Sequence, residues 1–261
     1  MNFRNIVTAF LIGSLLTLSA TAKKSKQELA RISQNPVGNM SSLPFQYNLN
    51  FNVGPDNDEQ SILNIQPVYP ININEDWNWI NRVIIPVIDQ PSPVNKSGLG
   101  DIQYQGFLTP TEPGKIIWGL GPVISIPTAS DDLLGSEKWS GGAGLVLLKM
   151  KGPWVFGSII NNIWSFEGSD DREDVNAFFW QYFINYNLPG FYFTSAPAIT
   201  ADWKADSSDR WTIPFGGGVG KIIKIGKLPV NCQLNSYYNV EHPDGGADWQ
   251  VRAQVQLMFP K

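Results

Sequence analysis

The sequence predicts an all-β protein, a transmembrane antiparallel up-and-down β-barrel of about twelve strands. Three observations predict it. From residue 43 onward, apolar and polar side chains alternate with period two in one segment after another. Charged residues make up only 16% of the chain while aromatics reach 12%, with ten tryptophans; soluble domains carry roughly 25% charge. No apolar run after residue 22 is long enough for a spanning helix, which needs about 20 residues. With so little charge and no spanning helix, the closed barrel is the membrane architecture that remains.

Residues 1–22 are expected to be removed. Arg4 gives a positive start, Ile6 to Leu18 is apolar, and Ala20-Thr21-Ala22 is an A-x-A cleavage site before Lys23. That layout is a secretory signal peptide, its apolar part too short to span a bilayer. Residues 23–42 form a second, N-terminal segment on the periplasmic side. Gln27 to Gln34 has helical spacing through Leu29 and Ile32 and ends before Pro36. It reads either as a periplasmic tail or as a short helix entering the lumen. The barrel is assigned to residues 43–261.

Strands are predicted near 43–53, 61–71, 80–89, 100–109, 114–127, 138–150, 153–166, 174–188, 190–203, 210–224, 227–241 and 247–259. The first is the cleanest: Phe45, Tyr47, Leu49, Phe51 and Val53 alternate with Gln46, Asn48, Asn50 and Asn52, so each set takes one face. An even number suits a barrel with both ends on the periplasmic side. If the first strand runs outward, the outer loops fall at 54–60, 90–99, 128–137, 167–173, 204–209 and 242–246. Most of the 23 acids gather there, including Asp131, Asp132, Asp170, Asp171 and Asp244, while Lys149, Lys151, Lys224 and Lys227 lie near the opposite, shorter turns. Solvation of loops does not explain why acids avoid every second loop; a two-sided object does.

Trp139, Trp154, Trp203, Trp211 and Trp249 fall near strand ends, where an aromatic girdle belongs. The last strand points Trp249, Val251, Ala253, Val255, Leu257 and Phe259 one way, and Gln250, Arg252, Gln254 and Gln256 the other. A lipid-facing Arg252 near midplane would cost about 2–4 kcal/mol. The Arg252 face is therefore the lumen, and the strand is expected to close against Phe45–Val53.

Pore function rests on lumen-lining side chains. The candidates are Asp101, Gln103 and Gln105, then Gln181 and Asn185, then Arg252, Gln254 and Gln256. Asp101 and Arg252 are candidates to pair. Whether the lumen is open or plugged stays undecided at this level, because twelve strands lie between filled eight-stranded barrels and open porins.

Other chemistry is poorly supplied. One cysteine, Cys232, and one histidine, His242, leave no material for a disulfide or a Cys–His metal site. No cofactor and no catalytic residue is predicted. Gly216-Gly-Gly-Val-Gly-Lys221 lacks the Gly and Ser/Thr that a phosphate loop needs at 215 and 222. Glu241-His242-Pro-Asp244 has no neighbouring serine nucleophile. The acids at 167–174 read as a solvated loop rather than a calcium site. Net charge of −4 argues against nucleic acid. The expected partners are outer-membrane lipid and lipopolysaccharide, the barrel-assembly machinery and a small-molecule substrate.

Several stretches together resemble one family. They are Gly98-Leu-Gly-Asp101, Trp118-Gly-Leu-Gly-Pro122, Asn162-Ile-Trp-Ser165, Trp211-Thr-Ile-Pro-Phe-Gly-Gly-Gly-Val-Gly-Lys221, Tyr237-Tyr-Asn239 and Leu257-Met-Phe-Pro-Lys261. The family is that of bacterial outer-membrane proteins labelled as transporters of the meta-pathway of phenol degradation, often mislabelled neuromedin U. The resemblance spans roughly residues 30–261. It implies an outer-membrane barrel acting as a channel for passive uptake of a small, hydrophobic or aromatic compound, and it carries no catalytic residues. The alternative is a non-conducting structural or surface-interaction barrel.

Overall fold

The structure, a computed structural model, describes residues 25–260. The signal peptide expected at 1–22 lies outside them. One short helix, α1 (Lys26–Ser33), precedes fifteen strand segments: β1 (Ser41–Val53), β2 (Asp58–Ile65), β3 (Val68–Asn72), β4 (Trp77–Gln90), β5 (Lys96–Leu99), β6 (Ile102–Pro110), β7 (Ile117–Ile126), β8 (Lys138–Lys151), β9 (Trp154–Gly168), β10 (Asn176–Leu188), β11 (Phe191–Ser195), β12 (Ala198–Asp202), β13 (Trp211–Ile225), β14 (Leu228–Glu241) and β15 (Trp249–Phe259). β2 with β3, β5 with β6, and β11 with β12 are halves of single staves, so the barrel is a closed antiparallel one of twelve staves. β1 and β15 close it in register from Ser41↔Phe259 to Phe51↔Trp249. The ring of staves is continuous, which is what a sheet in lipid requires.

Two predicted strands, 61–71 and 190–203, are thus broken, each at a proline, while the stave predicted at 100–109 is extended by β5 into the expected loop 90–99. Pro67 follows Gln66 between β2 and β3, and Pro197 follows Ala196 between β11 and β12. Proline has no N–H to give the ladder, so pairing stops there. Gly100-Asp101 separates β5 from β6 within that stave, both halves pairing with β4.

Short turns join the staves on the side of Ser41 and Phe259. Pro189-Gly190 and Gly226-Lys227 connect strands in two residues, with φ of +95° at Gly190 and +60° at Gly226, a region glycine enters without strain. The opposite loops are mostly longer and hold most of the acids; Glu75, Asp76 and Glu112 lie in turns on the near side. Outside, Trp203, Trp211 and Phe178 cluster at the outer rim, with the two indoles 5.3 Å apart. Trp154 packs against Phe156 and Tyr186 at the inner rim. Between these rims the outward positions of the strands are apolar and exposed, among them Leu147, Ile184, Leu234 and Val255. A closed barrel with an apolar band between aromatic rims is built for the bacterial outer membrane.

The core lies inside the barrel. One cluster joins Ile80, Phe107, Val146, Leu148, Val155, Ile159 and Phe183 with Val37 from the N-terminal segment. A second joins Leu29, Ala30 and Met40 of that segment with Tyr192, Ile222 and Met258. Glycine makes room for this filling: a Cβ at Gly157 would stand 2.0 Å from the Phe183 ring, and one at Gly119 would stand 2.8 Å from Val37.

Candidate functional site in the barrel lumen

Cross-strand partners share a face, so the ladder identifies the inward side chains. Asn48 pairs with Arg252, which pairs with Asn235. On the other side Arg82 pairs with Gln105. Gln103, Gln105, Gln181, Asn185, Arg252, Gln254 and Gln256 all fall on the inward face by this register. Gln181, Asn185, Arg252, Gln254 and Gln256 line one common cavity of about 150 Å³. Gln103 and Gln105 face the lumen outside that cavity, bonded to each other at 2.6 Å.

Asp101 is the exception. Its carboxylate accepts hydrogen bonds from the amides of Thr128, Ala129 and Ser136 and from the Ser136 hydroxyl, at 2.7–3.2 Å. It anchors the outer loop between β7 and β8, and the expected pairing with Arg252 does not form. The reason is the break at Gly100-Asp101: the residue leaves the ladder, and the parity that joined it to Gln103 no longer applies.

Arg252 is instead held by neutral groups. Nε donates to Asn48 Oδ1, Nη1 to the Ala196 carbonyl and Nη2 to Gln250 Oε1, each at 2.9 Å. Its guanidinium also lies 5.0 Å from the Tyr237 ring centroid, within cation–π range. The Ala196 carbonyl is available because the stave breaks before Pro197; it also accepts from Gln181 Nε2 at 3.0 Å.

Arg82 is a second lumen cation, one that the alternation pattern did not single out. Its Nη2 donates to Gln66 Oε1 at 2.5 Å, again at a proline break. Gln46, Gln66, Gln233, Asn235 and Tyr237 complete the polar lining. Among the described residues no carboxylate lies within 4 Å of either guanidinium. Gln105 Oε1, Asn161 Nδ2 and Asn235 Oδ1 are buried without a protein partner; in a polar lumen such groups are satisfied by water.

The N-terminal segment covers this cavity at the barrel end where Ser41 and Phe259 lie. Its described part forms α1 and packs on the inward-facing Tyr192, Ile222 and Met258. Ser25 caps α1 by accepting from the Glu28 amide at 3.1 Å. Gln34 and Asn187 exchange amide hydrogen bonds at 3.0 and 3.1 Å. Asn231 donates to Ser33 Oγ at 3.2 Å and accepts from Tyr192 Oη at 2.6 Å. Ile32, Pro36, Gly38 and Met40 reach the cavity.

The remaining motifs take structural places. Gly216 to Lys221 lies within strand β13, where a Cβ at Gly220 would meet the Tyr192 ring at 2.1 Å. His242 lies 3.1 Å from Asp248 through Nε2, and its Nδ1 is 2.9 Å from the Pro243 carbonyl, bracing the last outer loop. Asp174 meets Lys138 and Lys204, each at 3.7 Å.

No family model and no curated protein matches the chain. Solved structures do. An outer-membrane channel from Pseudomonas putida F1 superposes with a TM-score of 0.64 at 16% identity, over 84% of this chain and 94% of that one. Outer membrane phospholipase A from Escherichia coli gives a TM-score of 0.46 at 14% identity, over 85% of this chain and 90% of that one. LpxR from Salmonella typhimurium gives 0.41 at 10%, over 84% and 100%. The first likeness establishes the fold, and with it the conclusion that this chain is a twelve-stave barrel of the outer-membrane kind.

Proposed function

We propose that the chain is a non-enzymatic outer-membrane channel for the passive uptake of a small, hydrophobic or aromatic compound. One observation carries this: the lumen keeps a cavity lined by apolar side chains together with two arginines and several amides, beneath a short N-terminal segment. A barrel serving only as a scaffold gains nothing from uncompensated lumen cations. The resemblance to transporters of the phenol meta-pathway supports the same substrate class. Lipid and lipopolysaccharide would meet the apolar band and the acidic loops, and the assembly machinery would meet the closing strand β15.

The rival is a non-conducting surface barrel, favoured by the way the N-terminal segment fills the inner half of the lumen. Planar-bilayer recording of refolded protein separates the two. Discrete conductance is expected, rising several-fold when residues 25–40 are deleted, because the deletion removes the cover without touching a stave. Absence of channel events in both forms, together with normal uptake in a deletion strain, would sink the channel.

A further inference from the structure

We infer that the cavity beneath the N-terminal segment is a binding site for a small aromatic monocarboxylate, its carboxylate held by Arg82 and its ring against Ile159 and Phe183. This names a substrate class for the site already described and rests on the channel reading.

The charge comes first. Arg82 and Arg252 both line the cavity, and no carboxylate among the described residues neutralises either one. Guanidinium keeps its charge in proteins and carries five donors in a fork that fits a carboxylate with two parallel bonds. Arg252 has committed three donors to Asn48, Ala196 and Gln250. Arg82 donates to Gln66 through Nη2, and its other donors remain for a ligand. Cations inside a pore wall select for anions, and low-dielectric surroundings strengthen that pull.

Shape gives the rest. A cavity of about 150 Å³ is of the size that accepts a benzene ring. Ile159 and Phe183 belong both to the cavity lining and to the apolar cluster, so a ring has a dry flank to lie on. An inorganic anion would use the arginines and leave that flank uncovered; a neutral aromatic would use the flank and leave the charge unmet.

The test is calorimetric titration of the refolded full chain in detergent with sodium benzoate, and with benzamide as the uncharged isostere. Saturable benzoate binding is expected, with benzamide weaker by about tenfold or more, the scale of one lost charge-assisted contact. Arg82→Gln should weaken benzoate by about tenfold and leave benzamide unmoved. Arg82→Lys, which keeps the charge without the fork, should fall between. Retention of the heat-modifiable gel shift of a folded barrel shows that each variant is intact. Equal binding of benzamide, indifference to Arg82→Gln, or displacement of benzoate by equimolar chloride would overturn the proposal. Conductance is recorded on the same preparation. Binding without conductance sinks the channel and leaves the site, while conductance without binding sinks the site alone.

Discussion

The two flanks of the lumen are made from the same kind of strand and differ only in what they turn inward. From β4 through β10 the inward set includes Ile80, Phe107, Val146, Leu148, Ile159 and Phe183, packed as a dry cluster onto which Val37 docks. From β13 through β15 to β1 it includes Asn231, Asn235, Tyr237, Arg252, Gln256 and Asn48, buried and joined by hydrogen bonds, with Ile222 and Met258 meeting the N-terminal segment at one end. The first flank holds its shape by close packing, where every missing methylene leaves a void. The second holds it by directional bonds in a cavity that water can enter, where a lost partner is partly replaced. Stability should therefore sit in the close-packed cluster and selectivity in the polar groups of the lumen, Arg252 and, at the edge of the dry flank, Arg82 of β4.

That division can be broken by substitution. Phe107→Ala, at a side chain only 1% exposed, is expected to cost about 3–5 kcal/mol by the usual scale of a buried phenylalanine truncation. Denaturant unfolding in detergent or lipid vesicles reads it. Arg252→Met removes the donors that Asn48, Ala196 and Gln250 accept, yet should cost only about 1–3 kcal/mol, because water re-satisfies those acceptors. A loss from Arg252→Met equal to that from Phe107→Ala would end the distinction.

The smallest effect belongs to the outer loops, away from both flanks. The amide of Asp244 and then the hydroxyl of Ser208 hold the Asp209 carboxyl below the usual carboxylate range. The carboxylate form is the bonded one, so the brace is present at neutral pH and is lost as pH falls through that lowered value. Proteolysis in the loops around 203–210 and 242–248 should quicken on acidification. Asp209→Asn should remove most of that pH dependence; an unchanged acid response in the variant would assign it to another group.

The same contrast explains how much the sequence disclosed. On the wet flank, lumen and lipid faces differ in polarity, so Phe45 to Val53 and Trp249 to Phe259 could be read residue by residue, and the register pairs them face to face. On the dry flank both faces are apolar, as in Ile80-Asn-Arg-Val-Ile-Ile-Pro-Val-Ile88, and alternation says nothing about orientation. Arg82 was missed there. The signal available was its solitude: a cation in an apolar strand avoids lipid at a cost of about 2–4 kcal/mol, so it must point inward. Asp101 failed for another reason, since parity extends only as far as the ladder, and the ladder stops at Gly100.

Chain chemistry alone was enough to specify an antiparallel barrel of twelve staves with its long acidic loops on one side. Period-two alternation is local, and a bilayer leaves strands no other way to satisfy their backbones. What fills the lumen was settled by three-dimensional packing. Gln34 meets Asn187 across 153 residues and Ser33 meets Asn231 across 198. Arg252 finds a carbonyl set free by a proline break two staves beyond its neighbour β14. Such meetings follow from curvature and from where the ladder fails, and no periodicity along the chain records either.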